Sequence, residues 1–341
     1  LTPWELRGLL ERIFECYPVQ EGAELSIEID PAVTTAEHLS ELRALGFNRL
    51  SIGVQDFSEE VQDAVGRYQG ASVTYETYTE ARELGFGSIN VDLMYGLPKQ
   101  TIAHVTRSVD RVIDMGVDRV AVFGYAHVPW LKPHQRRLEI YGLPDSQTRW
   151  LMSEAAREKL LDAGYVAIGM DHFAKPNDEI VAAYKHGRLN RNFQGYTVMN
   201  TTDLLGLGAP AISDISGTYL QNRVRLGDYM SAVENGRFAT VKGVRRSADD
   251  NLRSWLIKSI MCHLRIDYDD AHARFGVNVP KDFADALAQL APLEDDGVVK
   301  RLDDALVVTE PGRLLVRNVA SAFDAYLDSR SPAESQFSKA I

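Results

Sequence analysis

The sequence contains little cysteine, no long apolar run and no excess of positive charge. Its 341 residues include two cysteines, Cys16 and Cys262, which form neither a CxxC pair nor a CxxxCxxC triplet. This pattern argues against a disulfide framework and against a thiolate metal site, so we expect a reducing, cytoplasmic setting and no metal ligand in this chain. No run of 18 apolar residues is present, which argues against a membrane span.

The charge balance is acidic, with 37 Lys and Arg against 48 Asp and Glu, a net charge of −11. Such a chain repels nucleic acid and anionic membranes, so we expect neither as a partner. An anionic ligand therefore needs a local basic pocket. One basic cluster stands out, KHGRLNR at 185–191, directly before the aromatic and amide run NFQGY. It is either a solvated loop or part of a ligand site.

The first residues predict a helix. Thr2-Pro3 followed by Glu5 has the pattern of a capping box with proline in the first turn, and apolar residues then recur at helical spacing. The chain opens on Leu1 and not on methionine, and no secretory pattern follows, so we expect that it comes from a longer gene product.

Four segments share one design, in which an amphipathic helix ends on glycine and a β-like run follows. They are ELRALGFNRLSIGVQD, EARELGFGSINVDLMYG, RVIDMGVDRVAVFGYAH and EKLLDAGYVAIGMDHF, with the glycines at positions 46, 85, 116 and 164. A strand, ELSIEIDP at 24–31, precedes them, and we expect Thr34 with Glu37 to cap the helix after it. Alternating β and α elements predict an α/β fold with a parallel sheet, as a barrel or as an open doubly wound sheet.

Beyond about residue 200 this alternation stops. Residues 248–264 predict an amphipathic helix, and 280–330 predict a helix, a short hairpin (VVKRLDDALVVT) and another helix. This is a mainly helical, winged-helix-like pattern. A DNA-binding role for it is disfavoured by the acidic balance.

Polar side chains follow every predicted strand of the α/β part. In parallel β/α folds the ligand sites lie at the carboxyl ends of strands. Carboxylate and amide groups there suit ribose hydroxyls and an amino group better than phosphates. For Asp30 and Asp56 we favour a role in capping the next helix. The candidates are Glu28, Asp30, Gln55, Asp56, Asp92, Tyr125 to His127, Asp171 and His172.

Two further signals are weak. LGLGAPA at 205–211 is similar to the dinucleotide GxGxxG pattern, but no strong strand precedes it and no acidic residue follows at the right distance, which favours a tight turn. His127 and His172 with a carboxylate are potential metal ligands, yet no HxH or HExxH spacing supports such a site.

The motifs themselves resemble one family. The runs SIEIDP, GFNRLSIGVQDF, INVDLMYGLPKQT, YAHVPW, IGMDHFAKPNDE, NRNFQGYT and TDLLGLGAPAIS occur in this order and cover nearly the whole chain. They resemble the oxygen-independent coproporphyrinogen III oxidases, radical S-adenosylmethionine (SAM) enzymes of haem biosynthesis.

This resemblance implies a fold, an activity and cofactors. The fold is a partial (β/α)6 TIM-like barrel with a C-terminal helical domain. The division we expect is 1–200 for the barrel, 201–247 for a connecting segment that completes the cofactor pocket, and 248–341 for the helical domain. The activity is the oxidative decarboxylation of two propionates of coproporphyrinogen III to vinyl groups by a 5′-deoxyadenosyl radical. It implies two SAM molecules, a [4Fe-4S] cluster, an electron donor and an electron acceptor.

The resemblance also implies site residues. Glu28 and Arg67 correspond to contacts with the cluster-bound SAM, and the Arg67 guanidinium suits its carboxylate. The resemblance also implies residues for the second SAM molecule, four that contact it and two that lie beside it. The four are Gln55, Asp92, Ala126 and Ile212, and the two are Phe193 and Gln194.

The sequence departs from the family pattern in three places. The CxxxCxxC triplet that holds the cluster and the GGGTP run after it are absent, so we expect this chain to be inactive alone, with an uncovered sheet edge. Asn190 stands where relatives often have His. Charge alone suggests Arg191 and Lys175 for the substrate propionates.

One other protein of the same fold is an alternative. A haem-binding chaperone of this fold has an HNxxYW-like motif, and this chain has NRNFQGYT at that place. We therefore favour the oxidase. We expect a monomer.

Overall fold

The computed structural model describes residues 1–200 and 203–327. The chain divides into two compact units, and the division falls between Val181 and Ala182. The boundary predicted at residue 201 and the part of the third predicted segment beyond residue 327 lie outside the described residues, and the three-part division stays a prediction. No helix in the described part of the chain is long and apolar enough to cross a membrane.

The first unit alternates helices and strands. Its elements are α1 (Pro3–Cys16), β1 (Ser26–Ile29), α2 (Ala36–Ala44), β2 (Arg49–Gln55), α3 (Glu59–Val65), α4 (Ala71–Glu83), β3 (Ser88–Tyr95), α5 (Ile102–Met115), β4 (Arg119–Gly124), a 3-10 helix (Pro133–Tyr141), α6 (Ser146–Asp162), β5 (Val166–Ile168), β6 (His172–Ala174) and α7 (Glu179–Lys185), which crosses the division.

The six strands form one sheet in the order β1-β2-β3-β4-β6-β5. Strands β1 to β4 are parallel, as predicted. The last β-like run differs from the prediction of one parallel strand. It folds as a hairpin that turns at Gly169, whose φ is 57°. The reversed strand β6 therefore lies beside β4 in antiparallel orientation.

The glycines predicted at helix C-termini are confirmed, whereas the predicted cap at the start of α2 is not. Glycines 46, 85, 116 and 164 have φ values of 94°, 86°, 67° and 86°, the left-handed region that favours glycine after a helix. The predicted cap of α2 by Thr34 and Glu37 is wrong. Thr35 caps α2 by accepting from the His38 amide, while the Thr34 hydroxyl donates to the Asp30 carbonyl at 2.8 Å and closes the preceding turn.

Strict alternation in β2 and β3 determines which face of the sheet becomes core. Leu50, Ile52 and Val54 are at most 2% exposed, and β3 repeats the pattern with Ile89, Val91 and Leu93. Burial of each such side chain contributes roughly 1.5–3 kcal/mol. Because side chains alternate across a strand, the other positions of β2 and β3 lie on the opposite face, and all of them except Gly53 and Met94 carry polar groups.

The second unit contains three small sheets and a set of helices. Its elements are β7 (Asn190–Asn192), β8 (Gly195–Thr197), β9 (Ile212–Ile215), β10 (Thr218–Asn222), α8 (Leu226–Glu234), β11 (Thr240–Arg245), α9 (Ala248–His263), β12 (Arg265–Asp267), α10 (Tyr268–Phe275), α11 (Val279–Asp282), α12 (Ala284–Gln289), α13 (Ala291–Asp295), β13 (Val299–Arg301), β14 (Ala305–Val308), a 3-10 helix (Pro311–Leu315) and α14 (Val316–Ser321).

The sequence predicted α9 and the β13–β14 hairpin, and both are confirmed. Strand β12, which pairs with β14, was missed. It has three residues and follows Leu264, whose φ of 57° ends α9, so no alternating pattern is long enough to be read. The helices with this three-stranded sheet fit the predicted winged-helix-like pattern.

Candidate functional site

The polar face of the first unit's sheet places its side chains in two rows. Glu28 pairs with Ser51, and Ser51 with Asn90, across β1, β2 and β3. Two residues further along the strands, Gly53 of β2 pairs with Asp92 of β3. Since partners in register share a face, the Glu28 and Asp92 carboxylates both lie on the face opposite the core.

Gln55 ends β2 in an unusual backbone conformation. Its φ is 69°, rare for a residue with a side chain, and the β2–β3 register shifts between Gly53 and Gln55. The shift places the Gln55 amide over Gly53, with Nε2 3.2 Å from the point that a Cβ on Gly53 would occupy. Observed strain of this kind often accompanies a functional role.

Arg67 lies above the same glycine. Its Nη2 donates to the Gly53 carbonyl oxygen at 2.6 Å and lies 3.1 Å from Asp30 Oδ2. Its Nε is buried without a hydrogen-bond partner. Glu28 is exposed and has no hydrogen bond or ion pair within the described residues. These groups are available to a ligand.

Asp92 is held in place by its neighbours. Its Oδ2 accepts from the Ser51 hydroxyl at 3.0 Å and its Oδ1 from Asn90 Nδ2 at 2.7 Å. Burial raises the pKa of Asp92, and these hydrogen bonds partly oppose the rise. His172, whose Nδ1 lies 2.7 Å from Asp171 Oδ1, acts on the same carboxylate electrostatically.

Two candidate carboxylates have structural roles. Asp30 Oδ1 accepts from the Ala32 amide at 3.0 Å, which closes the turn after β1, although the cap of α2 itself is Thr35. Asp56 is 1% exposed, and its oxygens accept from the Ser58 amide and from Gln100 Nε2, both at 2.6 Å. Burial raises the pKa of Asp56. Asp56 therefore stabilises the start of α3 and lies outside the polar face.

The residues after β4 and the suggested Lys175 are also positioned by the structure. Ala126 is exposed, and its carbonyl accepts from Gln135 Nε2 at 3.1 Å. His127 Nε2 lies 2.9 Å from Glu139. Lys175 Nζ donates to the Gly116 carbonyl at 2.6 Å and so covers the end of α5, and its suggested contact with a propionate stays a prediction.

The three remaining candidates lie in the second unit. Phe193 packs edge-on against Tyr219 at 5.5 Å and lines a cavity of about 550 Å³. Gln194 is exposed and does not line the cavity, and its backbone amide donates to Asn192 Oδ1 at 2.8 Å. Ile212 opens β9. A shared SAM site for these residues and those of the first unit stays a prediction.

The groups that position these candidates were not predicted from the sequence. Ser51 and Asn90 hold Asp92 but follow no strand end, and their signal was the polar alternation inside β2 and β3. The glycine run LGLGAPA is a turn, as favoured. A Cβ on Gly206 would lie 2.7 Å from the Ile212 carbonyl oxygen, so glycine permits this close approach of two backbone segments.

The thiols of this chain do not fit an iron–sulfur cluster. Such clusters are held by several Cys thiolates. Cys16 is exposed and Cys262 buried, they lie in different units, and the 341 residues contain no third cysteine. Within residues 1–200 and 203–327, no group of three His, Cys, Asp or Glu side chains could hold a metal ion.

Comparison with known proteins identifies the class and then the family. The model of the Radical SAM superfamily matches residues 3–112, and that of the HemN C-terminal domain matches residues 247–315. With the parallel β1–β4 sheet and its polar face, these matches make the first unit a radical SAM fold, a class whose members use SAM and a [4Fe-4S] cluster.

Relatives at about 40% identity cover the whole chain. Oxygen-independent coproporphyrinogen III oxidases from Synechocystis and Escherichia coli K12 are 40% and 41% identical over all of this chain and 74% of their own lengths. The solved structure of coproporphyrinogen III oxidase (HemN) from Escherichia coli, described as a radical SAM enzyme, matches with a TM-score of 0.92 and 41% identity, over 96% of this chain and 75% of that one. The chain belongs to the oxygen-independent coproporphyrinogen III oxidase family. The predicted family, fold class and oxidoreductase class are thereby confirmed.

Proposed function

We propose that this chain acts on coproporphyrinogen III, in the oxidative decarboxylation of two propionates to vinyl groups that gives protoporphyrinogen IX. One observation carries the proposal beyond the family match. Four polar residues lie within 64 positions of one another in sequence and on or above one face of β1–β3: Glu28, Gln55, Arg67 and Asp92. Three of them, Glu28, Gln55 and Arg67, have polar atoms that no other residue of the described chain pairs.

The chemistry of these groups fits SAM. An arginine with a partnerless Nε suits the methionine carboxylate, and the free Glu28 carboxylate suits the ammonium group. Asp92 is a fixed acceptor for ribose hydroxyls. Bound SAM supplies the group that takes hydrogen from the substrate in this class of enzyme.

Two SAM molecules are part of the proposal. Glu28 and Arg67 bind the first, and Gln55, Asp92, Ala126 and Ile212 bind the second, with Phe193 and Gln194 beside it. The thiols of this chain do not fit the [4Fe-4S] cluster, so no residue described above is assigned to it. The electron donor and acceptor, the monomeric state, the cytoplasmic setting, the segment boundaries and the inactivity of the chain alone stay predictions.

A chimera tests the proposed activity. The matched segment of the Escherichia coli relative is replaced by residues 1–341, and anaerobic conversion of coproporphyrinogen III is measured. We expect turnover, and we expect Arg67→Lys to reduce it about tenfold or more through loss of the planar guanidinium. Arg107→Lys, at an exposed position outside the polar face, is the matched control.

A chimera that folds and binds SAM but gives no turnover contradicts the proposal. If the chimera does not fold, SAM binding by the chain itself, with and without Arg67→Lys, still tests the site. Haem titration tests the chaperone alternative, which no feature of the described structure favours. Tight stoichiometric haem binding without turnover would support that alternative.

A further inference from the structure

The cavity of the second unit, called the α9 cavity here, has a defined wall. It has a volume of about 550 Å³, within the range of small-molecule sites. Helix α9 contributes residues at positions 250, 253, 254, 257, 258 and 261, which recur every three or four residues and so form one stripe along the helix. The stripe combines apolar and cationic side chains, while Leu252, Leu256 and Ile260 face the core.

The carboxylates that line the cavity already have partners within the unit. Asp214 forms a two-point ion pair with Arg246, each contact at 3.0 Å. Asp250 accepts from the Ser247 amide at 2.8 Å and from the Tyr326 hydroxyl at 2.7 Å. Asp203 and Asp324 each accept one backbone amide, at 2.6 and 2.9 Å.

Two lining cations differ from these carboxylates. Arg191 and Lys258 form no ion pair and no side-chain hydrogen bond with any residue of the described chain, and Arg191 Nε is buried without a partner. The Arg191 guanidinium stacks on Tyr196 with its carbon 5.6 Å from the ring centroid, which orients it. Both cations act on the same buried thiol of Cys262, where their charges oppose the rise of its pKa to about 11 that burial causes.

Apolar surface completes the cavity. Phe193, Leu204, Ile257 and Met261 line it beside the two cations. Two unpaired positive charges beside apolar side chains suit a ligand that has an apolar body and more than one carboxylate.

We propose that the α9 cavity binds a propionate-bearing edge of the tetrapyrrole, with Arg191 and Lys258 as the carboxylate contacts. This assignment rests on the proposed function and adds the substrate-contacting residues to it. SAM also carries a carboxylate on a partly apolar body. Its ammonium and sulfonium charges are poorly matched by a cavity whose carboxylates are engaged, so the tetrapyrrole fits better.

Binding of coproporphyrin III, the stable oxidised form of the substrate, tests the assignment. The dissociation constant is measured by fluorescence for the full chain and for Arg191→Gln and Lys258→Gln. Loss of one charge-assisted hydrogen bond predicts about tenfold weaker binding in each variant. Arg188→Gln, in the same basic segment but outside the cavity lining, should bind as the wild type does. The tetramethyl ester of coproporphyrin III, which lacks the carboxylates, should bind at least tenfold more weakly than the acid.

Several outcomes would overturn the assignment. One is that the folded chain fails to bind coproporphyrin III, and another is that the three Gln variants all bind it with the same affinity. The others are that the tetramethyl ester binds as tightly as the acid, and that the affinity for SAM falls in Arg191→Gln and Lys258→Gln. Thermal unfolding of each variant excludes simple loss of structure, and Arg191→Lys, which keeps the charge, should bind coproporphyrin III more tightly than Arg191→Gln does. SAM binding that depends on Arg67 and not on Arg191 would leave the proposed function intact even if the cavity assignment failed.

Discussion

Arg67 Nη2 donates a hydrogen bond to the carbonyl oxygen of Gly53 at 2.6 Å. This contact ties Arg67, two residues after the end of α3, to the middle of β2, and the same nitrogen lies close to Asp30, directly after β1. The guanidinium is thereby held over the polar face of the sheet without using its Nε. The fold thus fixes the orientation of a cationic group before any ligand arrives, which lowers the cost of ordering it on binding.

Replacement of Gln55 by glycine should separate stability from binding. A side chain at φ 69° costs roughly 1 kcal/mol, so Gln55→Gly should leave the free energy of unfolding unchanged or raise it by up to about that amount. It should also weaken SAM binding, because the amide is lost. Urea unfolding and equilibrium dialysis measure the two effects.

Lys99→Gly provides the matched control for this prediction. Lys99 has a φ of 60° and is exposed, so the substitution should give a similar stability change without any effect on SAM binding. A Gln55→Gly chain that binds SAM with unchanged affinity would remove Gln55 from the proposed site.

Asp92→Asn should stabilise the chain in a pH-dependent manner. Burial raises the pKa of Asp92 in the folded state, so the unfolded chain loses this proton at lower pH than the folded chain does. The wild type therefore loses stability relative to Asp92→Asn as pH rises from the ordinary value of about 3.9 through the raised value. Above that window the difference should be constant. Urea unfolding at a series of pH values measures it, and a difference that shrinks with rising pH would refute the assigned direction.

The two cysteines should differ sharply in reactivity. Cys16 is exposed, whereas Cys262 is buried and its pKa is raised to about 11, so it carries little thiolate at pH 8. Iodoacetamide at pH 8 should label Cys16 alone in the folded chain and both thiols in urea. Mass spectrometry of peptides identifies the labelled sites. Rapid labelling of Cys262 under native conditions would show that α9 is not packed as described.

A methyl group at Gly312 should destabilise the second unit. A Cβ there would lie 2.1 Å from the Val298 carbonyl oxygen, so Gly312→Ala requires a backbone shift and should cost about 1–3 kcal/mol. Gly227→Ala, in α8 with nothing within 4 Å of the added carbon, should be neutral or stabilising. Equal unfolding midpoints for the two variants would contradict the close approach at Gly312.

The parts predicted correctly from sequence are those that local rules determine. A glycine after each of α2, α4, α5 and α6 predicts a left-handed backbone conformation at the helix end. The alternation of apolar and polar residues in β2 and β3 predicts which face of the sheet is buried. The β5–β6 hairpin was missed because YVAIGMDHF has the composition of one strand, and pairing with β4 decides where it reverses. The contacts of Asp56 with Gln100 and of Lys175 with Gly116 could not be predicted from charge, because these partners are distant in sequence.

The proposed function depends most directly on SAM binding to the polar face of β1–β3. Equilibrium dialysis of SAM against the 341-residue chain, Glu28→Gln, Arg67→Lys and the Arg107→Lys control tests this claim. We predict saturable binding that weakens about tenfold or more in the first two variants, from loss of charge-assisted hydrogen bonds, and stays unchanged in the control. No binding by the folded wild-type chain, or equal affinity in all variants, would contradict the claim.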